Sequence, residues 1–179
     1  MHIDGNRSKK VALFGVFLTF ILIMGLVDRM IPLDGIAPGM RLGLVNLAVI
    51  ISLYMFSARK TLVLVIMKCI MSAMLSGNIM PLLYSVPASL TSLAAMYVLM
   101  SIKIASPVGV SVVGAAFHNT TQIFVAWFIF GTWGIFFYLP FLLIIGTASG
   151  FLIGKLARAM LPKLWVYIDT EQRYREQLF

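Results

Sequence analysis

The stretch PVGVSVVGAAFHNTTQIFVAWFIF, residues 107–130, decides the fold. It contains no Asp, Glu, Lys or Arg, and about 20 mainly apolar residues are enough to carry a helix across a hydrocarbon core of roughly 30 Å. Pro107 at its head and Gly131 just past its end are start and stop signals for a helix. Its centre is nevertheless polar: His118, Asn119, Thr120, Thr121 and Gln122 follow one another. At a rise of about 1.5 Å per residue, His118 lies roughly 16 Å beyond Pro107, near the middle of a bilayer.

Outward from this run the chain repeats the same theme. Towards the C-terminus, Gly131-Thr132-Trp133-Gly134 turns into a further apolar run over 135–154. Towards the N-terminus, Lys103 and Ser106-Pro107 separate it from a run over 82–101. The sequence Asn78-Ile79-Met80-Pro81 reads as a tight reversal, preceded by a run over 61–77 that carries Lys68 in its interior. A run over 42–57 stops at Arg59-Lys60 and is short for a span. It therefore draws in part of the PGMRLG approach or sits where the bilayer is thinned. The first run, 11–31, is interrupted only by Asp28 and Arg29, and Pro32 with LDGIAPG (33–39) breaks it. The expectation is an all-α integral membrane protein of six transmembrane helices over 11–161, with a short N-terminal segment, 1–10, and a tail, 162–179.

Composition excludes a soluble domain. Of 179 residues, 61% are hydrophobic and 11% charged, against roughly 45–50% and 25% in soluble domains. A chain this short cannot bury so much Leu, Ile, Val, Phe and Met, so lipid must be its main solvent. The net charge of +8 does not imply nucleic acid, because the basic residues punctuate apolar runs instead of forming a soluble patch. Placing both termini in the cytoplasm puts Arg7, Lys9, Lys10, Arg59, Lys60, Lys103, Lys155, Arg158, Lys163, Arg173 and Arg175 there, eleven of fourteen basic residues. Arg29 and Arg41 fall outside, and the positive-inside bias favours this orientation. A cleaved signal peptide is the competing reading of the start, but no small-x-small site follows Gly25. The tail, KLWVYIDTEQRYREQLF, reads either as a short surface helix starting near Asp169, with a Glu171–Arg175 pair, or as a solvated, frayed end.

Polar groups in the runs are the candidate site, since an ionisable side chain within a bilayer is costly. Ser111, Ala115, His118 and Gln122 share a helical face, with Asn119 beside it, and the small residues Gly114 and Ala115 leave room for a ligand or a neighbouring helix. Lys68 either points into the bundle or snorkels to the interface. Towards the outer side, Arg41 leads into the second run, Asn46 lies one turn deeper, and Asn78, Tyr84 and Ser85 surround the start of the fourth. Together Arg41, Asn46, Lys68, Asn78, Tyr84, Ser85, His118, Asn119 and Gln122 either line a solute cavity or form a network of interhelical hydrogen bonds. Cationic Arg41 and Lys68 favour an anionic or strongly polar ligand group.

Other features carry less chemistry. Trp127, Phe130, Trp133, Phe136, Phe137 and Tyr138 read as an interfacial aromatic belt. Gly146, Gly150 and Gly154 recur every four residues, as do Ser8/Ala12 and Gly15/Thr19, which lets helices approach closely. The glycines are assigned to packing inside the bundle, and the first run is a candidate docking face for another membrane protein. One cysteine excludes an intrachain disulfide and a cysteine-based zinc site. There is no Walker-type phosphate loop, HExxH, CxxC or DDxxD cluster. No enzymatic activity, metal or cofactor is expected.

The blocks PGMRLGLVN (38–46), YSVPASLTSLAAMYVL (84–99) and GVSVVGAAFHNTTQ (109–122) resemble the bacterial Gx transporter family, often labelled heptaprenyl diphosphate synthase component I. The likeness runs from about residue 10 to 155. It implies a fold similar to the substrate-binding S components of energy-coupling factor transporters, six helices that capture a micronutrient outside the bacterial cytoplasmic membrane. It also implies docking, through small residues of the first helix, to a transmembrane coupling subunit with two ATPases. Two positions depart from the family pattern: Pro87-Ala88 replaces a glycine pair, and Lys68 replaces an arginine, keeping charge without bidentate geometry. The resemblance further implies two alternative roles. One is a membrane subunit of a quinone- or flavin-linked electron-transfer complex with a flavoprotein partner. The other is an isoprenoid-diphosphate-binding accessory subunit of prenyl diphosphate synthesis.

Overall fold

The computed structural model describes residues 4–30, 43–56, 58–77 and 79–176. Arg41 and Asn78 lie outside the described residues, as do the side chains of Ser8 and Arg29. Among the described residues six α-helices follow one another: α1 (Asp4–Met30), α2 (Leu44–Met55), α3 (Ala58–Ser76), α4 (Met80–Ser101), α5 (Pro107–Phe130) and α6 (Leu139–Glu176). A 3-10 helix, Trp133–Tyr138, joins α5 to α6. No strand occurs among the described residues.

The segment 107–130 forms the helix that its sequence predicts. Ser106 caps it, its side chain accepting from the Gly109 N–H at 3.5 Å, and Pro107 occupies the first turn, where a missing N–H costs nothing. Gly131 ends it with φ of 64°, its N–H donating to the Trp127 carbonyl at 2.8 Å. Among the described residues, three segments are long and apolar enough to cross a membrane: Leu82–Ser101, Pro107–Phe130 and Trp133–Leu164. These are the dimensions and composition of a membrane protein.

Large apolar side chains cover the outside of the bundle as well as filling its core. Val63, Ile66 and Ile70 of α3, Phe117, Phe124 and Phe128 of α5, and Ile144, Leu152 and Leu156 of α6 face outwards. Meanwhile Ser52, Thr61, Ser89, Ser92, Ser111 and Asp28 are buried. Small polar residues inside and large apolar residues outside are what lipid as solvent selects.

Two expectations change. The run over 42–57 yields a helix of 12 residues, about 18 Å at 1.5 Å per residue and well short of a roughly 30 Å core. It is short because Gly43, in the left-handed conformation at φ of 74°, starts it late, and Phe56, extended at φ of −118°, ends it. Eight of its twelve residues are buried, so α2 is a central strut enclosed by the other helices. Phe56 then locks against Phe17 and Phe14 of α1, with ring centroids 5.1 and 6.3 Å apart. The second change concerns the tail. No new helix starts at Asp169: α6 runs unbroken through Pro162 to Glu176, because a proline after a full turn of helix forfeits one hydrogen bond without forcing a break.

The glycines of α6 are consumed by packing against α5. A Cβ at Gly150 would stand 3.0 Å from the Ala115 Cβ and 3.1 Å from the Ser111 carbonyl oxygen, and at Gly154 it would stand 2.6 Å from the Val108 Cα. On the other flank of α5, Gly114 receives Met96 of α4, and the Ser92 hydroxyl donates to the Gly114 carbonyl at 2.7 Å. The space beside Gly114 therefore belongs to a neighbouring helix. The core beneath the site is built from α2 (Val49, Ile50, Ile51, Leu53) with Ile21, Leu64, Val65, Val110 and Ala157.

Candidate functional site

A cavity of about 330 Å³ opens among the helices above that core. Its walls come from one end of the bundle only. They are the later parts of α1, α3 and α5 and the opening turns of α2, α4 and α6, as chain reversal at each connection requires. The basic residues Arg59, Lys60, Lys103, Lys155 and Arg158 are exposed and sit on the other end or the far half of α6. The cavity and these five exposed basic residues thus occupy different ends of the bundle.

Seven of the nine residues singled out from sequence line this one space: Asn46, Lys68, Tyr84, Ser85, His118, Asn119 and Gln122. The other two, Arg41 and Asn78, lie outside the described residues. Ser111, placed on the same helical face as His118, does not join them, because it packs against Gly150 and Gly154. The inner face of α5 divides accordingly. Its lower part serves helix contact and its upper part, Ala115 to Gln122, serves the cavity.

Lys68 points into the bundle rather than snorkelling. It is half-buried, and its ammonium donates to the Asn46 side-chain oxygen at 3.3 Å. Only Oδ1 of the amide can accept from a cation, so Asn46 is held with its oxygen on Lys68. On the α5 side the Asn119 Nδ2 donates to the Leu142 carbonyl of α6 at 2.8 Å. Beneath these groups lies a recess of about 10 Å³ lined by Asn46, Lys68, Ser89, Ser92, Met96 and His118 among others, the scale of a single water.

The cavity also recruits residues that sequence reading left aside. Asp28 is buried, lines the wall, and accepts the Gly43 N–H at 3.1 Å. A carboxylate just before the end of an apolar run was the available signal, since such a group is costly in lipid. Ser72 lies one turn beyond Lys68 on the same face and Ser149 three residues beyond Gly146, and both line the space. Cys69, also in the wall, points its thiol at the Ser85 carbonyl (3.7 Å) and the Ser89 hydroxyl (3.6 Å). The lining is therefore mixed: aliphatic from Ile21, Leu22, Val45 and Ile145, and hydrogen-bonding from α2, α3, α4 and α5, with one carboxylate and one ammonium among the described residues. This mixture of apolar wall and a few polar groups is the general make-up of small-molecule pockets. No group of three or more potential metal ligands occurs among the described residues.

Two other features fall away from the cavity. Trp127, Trp133 and Phe136 pack together, centroids 5.0 to 6.0 Å apart. Phe130, Trp133, Phe137 and Tyr138 are exposed, the arrangement of a belt at a membrane surface. On α1, Ala12, Gly15 and Thr19 are exposed, nothing lies within 4 Å of a Cβ at Gly15, and Thr19 donates back to the Gly15 carbonyl at 3.0 Å.

No curated protein and no solved structure matches the chain. The family model described as heptaprenyl diphosphate synthase component I matches residues 17–160, most of the chain and all of the described cavity lining. The chain belongs to that family, the Gx transporter family of the resemblance drawn from its motifs.

Proposed function

We propose that the protein is a non-enzymatic, solute-binding membrane subunit of the S-component type, acting in uptake driven by an energy-coupling factor. The observation that carries this reading is the gathering of Asn46, Lys68, His118, Asn119 and Gln122, polar groups costly in lipid, around one cavity of about 330 Å³. In this reading all six helices are embedded in the bacterial cytoplasmic membrane, with both termini inside. The basic end then faces the cytoplasm and the cavity end faces out. The solute is a small anionic or amphipathic micronutrient, met by Lys68 and by Arg41. The open face of α1 at Ala12, Gly15 and Thr19 docks a coupling subunit that carries two ATPases, whose hydrolysis drives inward release.

One observation favours a second reading: the family description itself names prenyl diphosphate synthesis. An accessory subunit that binds the diphosphate head of an isoprenoid would use the same cations. A cavity of about 330 Å³ is at the small end of ligand pockets, enough for a head but not for a chain of seven isoprene units. The tail would have to leave between helices.

The test is mass spectrometry of small molecules retained by gently purified protein. His118→Ala and Lys68→Ala are expected to lose the retained compound by about tenfold or more while folding and expression persist. Variants that unfold, with no compound ever retained by the parent, would identify the polar groups as a structural network instead. Co-purifying ATPases support the transport reading, whereas a flavoprotein partner or prenyltransferase activity would overturn it.

A further inference from the structure

The two asparagines in the cavity wall, Asn46 on α2 and Asn119 on α5, are held in opposite senses, and their orientation defines what a ligand must present. Amide oxygen and nitrogen look alike in outline, so their placement has to be read from partners. For Asn46 the partner is the Lys68 ammonium, a pure donor, at 3.3 Å. The oxygen is therefore engaged, and the end open to a ligand on this wall is the Nδ2 donor. For Asn119 the partner is the Leu142 carbonyl, a pure acceptor, at 2.8 Å. The nitrogen is engaged, and the end open to a ligand is the Oδ1 acceptor.

The second orientation depends on a glycine. A Cβ at Gly146 would collide with the Asn119 Nδ2 and stand 3.3 Å from its Cγ. The bare backbone there admits the amide to the first turns of α6, where the Leu142 carbonyl anchors it. Gly146 is thus a positioning residue for an acceptor on α5, in addition to any part in helix packing.

Resting on the solute-binding reading above, we infer that the ligand is a compact bifunctional molecule with two unlike edges. An anionic or accepting edge meets Lys68 and Asn46, and a hydrogen-bond-donating edge meets Asn119. Its bulk is that of a small molecule, the size a cavity of about 330 Å³ encloses. A simple anion, however well it suits Lys68, leaves Asn119 facing it with an unmatched oxygen, and an unmatched buried acceptor weakens binding by about tenfold.

Calorimetric titration of the purified full chain in detergent tests this with four matched ring probes: 4-aminobenzoate (acid and donor on opposite edges), benzoate (acid only), aniline (donor only) and toluene (neither). The expected result is that 4-aminobenzoate binds at least tenfold tighter than benzoate, with aniline and toluene weaker still. Asn119→Leu is expected to bring 4-aminobenzoate and benzoate within about twofold of each other. Gly146→Ala, which keeps the asparagine but displaces its amide, is expected to do the same, and this ratio is a readout that general loss of stability would not change. Equal binding of the two acids by the parent, or a ratio that survives Asn119→Leu, would overturn the inference. If such binding is lost in His118→Ala, the solute-binding reading stands without it. Failure of all four probes to bind would count against both.

Discussion

At Gly154 the backbone of α5 comes so near that an added Cβ would lie 2.6 Å from the Val108 Cα and 3.1 Å from its carbonyl oxygen. Neither atom can move without moving a helix. Gly15, on α1, has the opposite surroundings, with nothing within 4 Å of a Cβ. The same substitution should therefore have different effects at the two sites. Gly154→Ala is expected to lower stability by about 1–3 kcal/mol, the usual range for overpacking. Gly15→Ala is expected to be neutral or to stabilise by up to about 1 kcal/mol, because alanine is the better helix former. Thermal unfolding of both variants in detergent checks the pair, and equal losses would mean that α1 packs in a way the isolated chain does not show. The spacing of Gly146, Gly150 and Gly154 made close approach legible in sequence, but not the partner. That partner is α5, whose own small residues, Ser111 and Ala115, read equally well as cavity lining.

Among the elements, α2 was the least legible. Its shortness was evident from the distance between PGMRLG and Arg59, but its position at the centre of the bundle was not. A run rich in Leu, Val and Ile looks the same whether lipid or other helices surround it. What fixes its start is a long-range bond, from the Gly43 N–H to the Asp28 carboxylate at 3.1 Å. An anion at a helix N-terminus also meets the positive end of the helix dipole. Asp28→Ala should remove both effects and cost about 1.5–3 kcal/mol, the range for hydrogen bonds to charged groups. Asp28→Asn keeps an acceptor for the amide and should cost less. Since Asn46 sits on the first turn of α2 beside Lys68, Asp28→Ala is also expected to weaken solute retention although the aspartate is fifteen positions upstream of the bond it makes. Denaturant unfolding ranks the two variants, and an equal cost for both would assign the effect to buried volume.

For the whole molecule, the placing of the exposed residues Arg59, Lys60, Lys103, Lys155 and Arg158 away from the cavity end links fold to orientation. The span boundaries of 107–130 and the clustering of His118, Asn119 and Gln122 could be read along the chain because they depend on local periodicity. Convergence of Asn46, Lys68 and Tyr84 on the same space depends on how four helices pack, which no local pattern encodes. Orientation is the remaining global property, and it has a direct test. Ile79 and Lys103 are both exposed and flank α4 at its two ends. Cys69, the lone cysteine, is buried beside Ser85 and Ser89, so Cys69→Ser gives a background with little perturbation. In that background Ile79→Cys and Lys103→Cys each place one thiol at a known end. With the positive end inside, a membrane-impermeant maleimide added to intact cells should label Ile79→Cys within minutes. It should label Lys103→Cys only after permeabilisation, a difference of about tenfold or more. The reverse pattern would turn the cavity towards the cytoplasm, and capture of a solute from outside would then be excluded on geometry alone.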